Sequence, residues 1–146
     1  MAYTTYEDVD SRLGTLTLVQ LTDDEANGSA NANRVNEARD AAEAELNSFL
    51  AARYATPIDL VAYPELAGLL RGLTLDLVEY RLHARRPPVP PDVSRRAAEV
   101  RAWLAGIVAG TTHLPAARAV VSDSTRAPLA EITGPERIFT RESLQR

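Results

Sequence analysis

The segment DDEANGSANANR, residues 23–34, carries the side chains best suited to holding a metal ion. Counted from Asp23, it supplies an acid, amide or glycine at positions 1, 3, 5, 6 and 9 of a calcium-binding EF-hand loop. Position 12 of such a loop needs a bidentate glutamate, and Arg34 stands there instead. Because a cation at a ligand position repels calcium, we expect a solvated polar loop.

Other chemistry-bearing residues also lack a catalytic arrangement. His83 and His113 are the only histidines and lie thirty residues apart, without zinc-site spacing. No serine lies in a G-x-S-x-G turn, and no glycine-rich phosphate loop occurs. We expect the carboxylate pairs Asp23/Asp24 and Glu43/Glu45 to lie on solvated faces, where nothing raises a pKa. The sequence therefore predicts a protein that is not an enzyme and has no metal or cofactor.

All 16 basic residues are arginines, and six of them flank a proline-rich segment. These six are Arg81, Arg85, Arg86, Arg95, Arg96 and Arg101. Such a basic patch could bind nucleic-acid phosphates, or it could face the acidic first third of a neighbouring copy. The net charge of −4 and the pI of about 5.2 argue against tight, sequence-specific nucleic-acid binding.

The last fifteen residues, ITGPERIFTRESLQR, place apolar side chains among charged ones after a Gly-Pro break. We predict that residues 111–146 form an extended C-terminal arm, with a short strand at 117–121, outside a helical domain of residues 1–110. The arm would contact a neighbouring subunit through Arg137, Ile138, Phe139, Thr140, Arg141 and Leu144. Two alternatives remain open, since the arm could fold back on its own bundle or be a disordered tail.

The elements that must position these residues follow from length and apolar spacing. A chain of 146 residues without cysteine suits one domain without disulfides or thiolate metal sites. No apolar run reaches transmembrane length, and the N-terminus has no signal-peptide pattern, so we expect no membrane association.

The first half of the chain predicts two or three helices. A Thr4–Glu7 capping box opens a helix over about 5–13, and Gly14 ends it. Residues 15–21, TLTLVQL, fit a strand or a short helix, and we favour the helix because a single strand has no partner. After a polar loop, a long helix runs from an Asn33 cap to about Tyr54, with an apolar face at Val35, Ala38, Ala42, Leu46, Phe49 and Leu50.

The second half predicts two further long helices. One begins at Pro64 and reaches about Arg85, with Gly68 and Gly72 allowing close approach of another helix. Its predicted apolar face consists of Leu66, Leu69, Leu70, Leu73, Leu77, Val78 and Tyr80. Residues 85–91 then form a rigid, extended proline linker. A helix over about 93–109, capped by Asp92, ends at Gly110. Trp103 lies at the edge of its predicted buried stripe, which consists of Val93, Ala97, Val100, Leu104, Ile107 and Val108. The predicted fold is all-α, a small bundle of about four helices with an extended C-terminal arm.

The order of these segments resembles the head–tail connector (adaptor) proteins of Mu-like phages and prophages, of the gene-product-36 type. The resemblance rests on the following segments: MAYTTYEDVDSRLG, LVQLTDDEANG, RVNEARDAAEAELNSFLAARYATPI, PELAGLLRGLTLDLVEYRLHAR and PERIFTRESL. The last of them matches the family's C-terminal pattern R-[VI]-F-[ST]-R-[DE]-S-L at residues 137–144. The polar loop at 23–34 and the proline linker at 87–91 depart from the usual pattern.

The resemblance implies a structural virion protein that is made in the host cytoplasm and lies in the neck of the particle. It implies a homo-oligomeric ring beneath the portal protein that extends the DNA channel. Its partners would be other copies of itself, the portal protein, a tail-side neck or terminator protein, and double-stranded DNA that passes without sequence-specific binding. The alternatives are a small helical nucleic-acid-binding or regulatory module, and a calcium-responsive module.

Overall fold

A computed structural model describes residues 2–116, which fold into five α-helices and one 3-10 turn without any strand. The helices are α1 (Tyr6–Leu13), α2 (Thr15–Thr22), α3 (Ala32–Leu50), α4 (Ala67–Ala84) and α5 (Pro91–Ala109). The predicted all-α fold class is confirmed, and residues 15–22 are helical, as favoured over a strand. The predicted arm residues 117–146, including the strand at 117–121 and the terminal motif, lie outside the described residues.

Helix α1 begins one residue later than the sequence predicted. Thr5, and not Thr4, is its N-cap: the Thr5 hydroxyl accepts from the Asp8 N–H at 3.2 Å, and the Asp8 carboxylate accepts from the Thr5 N–H at 2.9 Å. Thr4 is buried instead, because its N–H donates to the Glu43 carboxylate of α3. Gly14 ends the helix at a φ of 79°, as predicted.

Helix α3 is also shifted from its predicted bounds. Its N-cap is Asn31, whose side chain accepts from the N–H groups of Asn33 and Arg34, so Asn33 is not the cap. The helix ends at Leu50, and a further turn leads to Tyr54. The Tyr54 hydroxyl accepts from the Leu114 N–H at 2.6 Å, which fixes the chain after α5 against the end of α3.

Helix α4 is the centre of the bundle and contacts the four other helices. A 3-10 turn at Pro64–Leu66 leads into it. Its buried residues therefore lie on several sides of the helix: Leu70, Thr74, Leu75, Leu77, Val78, Glu79 and Leu82. The single apolar face predicted from the sequence missed Leu75 and Leu82, and it included Leu69, which is 41% exposed.

The predicted role of the two α4 glycines is wrong. A Cβ atom built on Gly68 or on Gly72 meets no atom within 4 Å, so neither glycine lies against another described helix. This side of α4 instead lacks a described neighbour.

Helix α5 returns along α4 after a bend at residues 86–88, so the linker is not the extended rod that was predicted. Pro91 is the first helical residue, and Asp92 lies inside the first turn, where it is not the cap. The predicted buried stripe is confirmed for Val93, Ala97, Val100, Leu104 and Ile107. Val108, predicted to be buried with them, is 44% exposed.

Gly110 ends α5 in the left-handed conformation at a φ of 81°, as predicted. A Cβ atom at this position would also lie 2.6 Å from the Arg53 guanidinium, whose Nε donates to the Val108 carbonyl. The left-handed backbone conformation therefore favours glycine, whereas the Arg53 guanidinium is the end of a flexible side chain and can move away from a Cβ atom.

Replacing Leu70 by alanine tests the packing of the central helix. Leu70 is fully buried, so we expect Leu70→Ala to lower the free energy of unfolding by about 2–5 kcal/mol in urea denaturation. Leu16→Ala is the matched control, since Leu16 is 82% exposed and its truncation should change stability by less than about 0.5 kcal/mol. An equal loss of unfolding free energy in Leu70→Ala and Leu16→Ala would contradict this packing.

Candidate interaction surfaces

Glu45 of α3 joins the three long helices in what we call the Glu45 cluster, formed with Arg81 of α4 and Arg101 of α5. Each arginine lies 2.7 Å from a Glu45 carboxylate oxygen, and the Glu45 side chain is 16% exposed. Arg101 also lies over the Tyr80 ring, 5.0 Å from its centroid. Glu45 was expected on a solvated face, and the structure instead places it in a mostly buried ionic contact.

The protonation of Glu45 follows from this contact. Burial by itself raises the pKa of a carboxyl group, but the hydrogen bonds from Arg101 and Arg81 outweigh it and hold the pKa of Glu45 below its ordinary value of 4.5. The hydrogen bond that Arg101 donates to Glu45 in turn raises the pKa of Arg101. Both groups therefore stay charged at neutral pH and stabilise each other.

A second group, the Asp24 cluster, ties the end of α4 to the polar loop. Asp24 accepts from Arg85 at 2.6 Å and from Arg86 at 3.3 Å, and Arg34 lies 3.5 Å away. Hydrogen bonds from Arg85, then from Arg86, lower the pKa of Asp24. Arg85 also donates to the Leu21 carbonyl, so this cluster fixes both the loop and the end of α2.

Backbone N–H groups of the polar loop donate hydrogen bonds to a carboxylate of the same loop, that of Asp23. The Asp23 side chain accepts from the N–H groups of Gly28 at 2.8 Å and Asn27 at 3.1 Å, and these bonds, led by the one from Gly28, lower the pKa of Asp23. Arg34, at the position where calcium would need glutamate, pairs with Asp24 and Glu37. Within residues 2–116, no three acidic or histidine side chains form a group that could hold a metal ion.

A third group, the Asp76–Glu79 cluster, lies between α1, α4 and α5. Arg12 of α1 contacts Asp76 at 2.6 Å and Glu79 at 3.4 Å. Arg96 of α5 contacts the same two acids, at 3.4 Å and 2.7 Å. Glu79 is only 9% exposed, so its charge is tolerated because both arginines flank it.

The six arginines of the predicted basic patch are all paired inside the chain. Arg81 and Arg101 contact Glu45, Arg85 and Arg86 contact Asp24, Arg95 contacts Asp92 and Glu99, and Arg96 contacts Asp76 and Glu79. Four of them thus meet acids from the first sixty residues of their own protomer. A role for this patch in binding a partner stays a prediction.

An apolar groove, the α4–α5 groove, opens beside the Asp76–Glu79 cluster and has a volume of about 290 Å³. Its apolar lining consists of Leu69, Leu73, Val100 and Trp103, and its charged rim of Asp76, Arg96 and Glu99. The groove was not predicted from the sequence, although Trp103 was placed at the edge of the α5 stripe. It depends on how α4 and α5 pack together, which local sequence patterns do not encode.

The residues that were predicted to form the contacts of the arm all lie outside the described residues. They are Arg137, Ile138, Phe139, Thr140, Arg141 and Leu144. Among the residues that are described, no helix combines the length and the apolar character that a membrane crossing requires.

Removing the Glu45 charge tests the role of the Glu45 cluster. We expect Glu45→Gln to cost on the order of 1–3 kcal/mol of unfolding free energy at pH 7, because both arginines lose a charged acceptor. The folded-state pKa of Glu45 is depressed, so its contribution is present above pH 4.5 and is lost as the pH falls through the folded pKa. Denaturation curves of both proteins should therefore converge at acidic pH.

Glu37→Gln provides the control for this measurement. The Glu37 side chain is 64% exposed and pairs only with Arg34, so its loss should cost less than about 0.5 kcal/mol. A gap between wild type and Glu45→Gln that stays constant from pH 7 into the acidic range would contradict the ionic role of Glu45.

The folded core lies almost wholly within the part of the chain that matches a known family. The family model described as "Bacteriophage Mu, Gp36" matches residues 3–130. This range includes every described helix and all three ion-pair clusters, and it ends before the terminal motif. A comparison with curated proteins gives no match. Because the family model covers most of the chain, the protein is a phage protein and belongs to the Bacteriophage Mu Gp36 family.

Proposed function

We propose that the chain is a structural head–tail connector, an adaptor that forms a homo-oligomeric ring beneath the portal protein and extends the DNA channel towards the tail. Its place would be the neck of the virion, after synthesis in the host cytoplasm. Its partners would be other copies of itself, the portal protein and a tail-side neck or terminator protein. The observation that carries this proposal is the match of residues 3–130 to a phage family.

The ion-pair clusters are compatible with a passive DNA conduit. The Arg81, Arg85, Arg86 and Arg96 side chains are each committed to carboxylates of the same chain. The chain as a whole carries a net charge of −4. Within residues 2–116, these paired arginines are less available to hold phosphates, so double-stranded DNA would pass without sequence-specific binding.

A structural role also agrees with how the titratable groups are used. Within the described residues, three carboxylates have lowered pKa values: Asp23, Asp24 and Glu45. They accept hydrogen bonds from backbone groups or arginines, and these bonds hold the fold together. Such groups stay ionised at neutral pH and are poor proton donors. We therefore propose that the protein performs no catalysis and needs no cofactor.

A closed ring needs two different surfaces that fit each other on neighbouring copies. The terminal segment supplies one of them in this proposal. Ile138, Phe139 and Leu144 are its apolar anchors, and Arg137 and Arg141 supply charges that can pair with acids of a neighbour or of the portal.

Assembly of the full chain tests this proposal. We expect the protein to form rings with portal-containing particles, seen by electron microscopy, and Phe139→Asp to reduce ring occupancy by roughly tenfold or more because it places a charge at an apolar anchor. Gln145→Asp adds the same charge next to the motif and should leave occupancy near the wild-type level.

Helical content in circular dichroism should remain unchanged in both variants, since the five described helices end at residue 109. If wild-type protein neither self-associates nor binds the portal protein under any condition, the adaptor proposal is wrong.

Retention on heparin separates this proposal from the alternative nucleic-acid-binding module. Because the six patch arginines are paired internally, we expect elution at low salt and a shallow dependence of binding on salt concentration. The alternative requires a steep salt dependence, and substitution of Arg95, whose side chain is 63% exposed, by glutamine would then weaken retention.

A further inference from the structure

The α4–α5 groove is an apolar surface without an occupant among the described residues. Leu69 is 41% exposed, and a Cβ at Gly68 or Gly72 meets no atom within 4 Å. Residues three or four apart on a helix are neighbours, so Gly68, Gly72, Leu69 and Leu73 form one continuous face of α4. This face and Trp103 of α5 together present apolar surface to any chain that lies in the groove.

The walls of the groove are held in place by ion pairs. Arg96 of α5 contacts Asp76 at 3.4 Å and Glu79 at 2.7 Å, both on α4. These contacts join the two helices directly beside the apolar lining, and Arg12 braces the same acids from α1. The groove is therefore preformed, which lowers the ordering cost of binding.

We propose that the groove binds residues 137–144 of a second copy of the chain, with Ile138 and Phe139 against Leu69, Leu73 and Trp103. This proposal rests on the proposed function, since it names the surface that receives the terminal segment in the ring. It assigns the two complementary faces of the subunit contact to specific residues.

Charge complementarity favours this occupant. Residues 137–144 carry two arginines and one glutamate, whereas the rim of the groove carries Asp76 and Glu99 against Arg96. Glu99 is exposed and its described partner is the equally exposed Arg95, so it can exchange that partner for an incoming arginine at little cost. A cationic apolar segment therefore fits the rim better than an acidic one does.

The length of chain allows a neighbour to be reached. Twenty residues separate Ala116, the last described residue, from Arg137, and a fully extended chain of that length spans up to about 70 Å. That distance exceeds the width of a small domain, so the terminal segment can cross to the groove of an adjacent subunit.

Disulfide trapping can identify the occupant, because the natural chain contains no cysteine. One full-length protein carries Leu69→Cys and a second carries Phe139→Cys, and the two are mixed under assembly conditions and oxidised. We expect a mixed disulfide dimer on a non-reducing gel, since a disulfide forms only when the two Cα atoms lie within about 7 Å. Leu16→Cys replaces Leu69→Cys in the control, because Leu16 is 82% exposed on α2, and it should give at least tenfold less dimer.

A chain carrying both Leu69→Cys and Phe139→Cys distinguishes a second copy from the same copy. Cross-linked oligomers are expected in assembled material. A cross-linked monomer would overturn the proposal, because the chain's own segment would then fill the groove, and equal dimer yields for Leu16→Cys and Leu69→Cys would overturn it as well.

Trp103 is the only tryptophan, so its fluorescence reports directly on the groove. Its emission should shift to shorter wavelength on assembly of the wild-type chain, and this shift should be lost in Phe139→Asp and in Leu69→Glu. Leu16→Glu is the control and should keep the shift. Normal rings of Leu69→Glu on portal-containing particles would contradict this inference while leaving the adaptor function intact, whereas a wild-type chain that forms no rings would remove both.

Discussion

Helix α4 contacts the other four helices, and this arrangement determines where charge can be placed in the bundle. Its residues Asp76, Glu79 and Arg81 all have limited access to water, because neighbouring helices flank them. A charge in such a position is stable only when a partner of opposite sign lies beside it. Arg12, Arg96 and Glu45, from three other helices, supply those partners. The same contacts that compensate the charges of α4 therefore fix the positions of α1, α3 and α5 around it.

Arginine suits these contacts because one guanidinium group can reach two carboxylates at once. Arg12 and Arg96 each bridge Asp76 and Glu79, and Glu45 in turn receives two arginines. Consequently the charge asymmetry along the sequence, acidic before residue 60 and basic after it, is largely neutralised inside one protomer. Within residues 2–116 the six patch arginines are paired with carboxylates and the α4–α5 groove has no described occupant, and both observations support the proposed protein–protein assembly over the alternative of phosphate binding.

Local signals in the sequence predicted the helices well. They did not predict contacts between residues that are far apart in the sequence. Gly14 and Gly110 end helices as predicted, since a left-handed residue is a local property. The N-cap of α1 is Thr5 and not Thr4, whose N–H donates to Glu43 instead. The N-cap of α3 is Asn31, two residues before the predicted Asn33. Glu45, Asp76 and Glu79 find their partners 17 to 67 residues away, and no periodicity encodes such pairs. The groove escaped prediction for the same reason, since its lining brings Leu69 and Leu73 of α4 together with Val100 and Trp103 of α5, which are distant in the sequence.

The groove and the terminal segment differ in character, and that difference bears on the geometry of assembly. A self-complementary patch pairs two copies around a two-fold axis and then has no free surface left, so it produces dimers. In the proposed contact, the rim of the groove carries two acids and one arginine, whereas residues 137–144 carry two arginines and one glutamate, so the two surfaces differ. A copy whose segment lies on one neighbour would keep its groove free for another. Contacts of this kind form a ring when the rotation closes and an open filament when it does not, so they are compatible with the proposed ring.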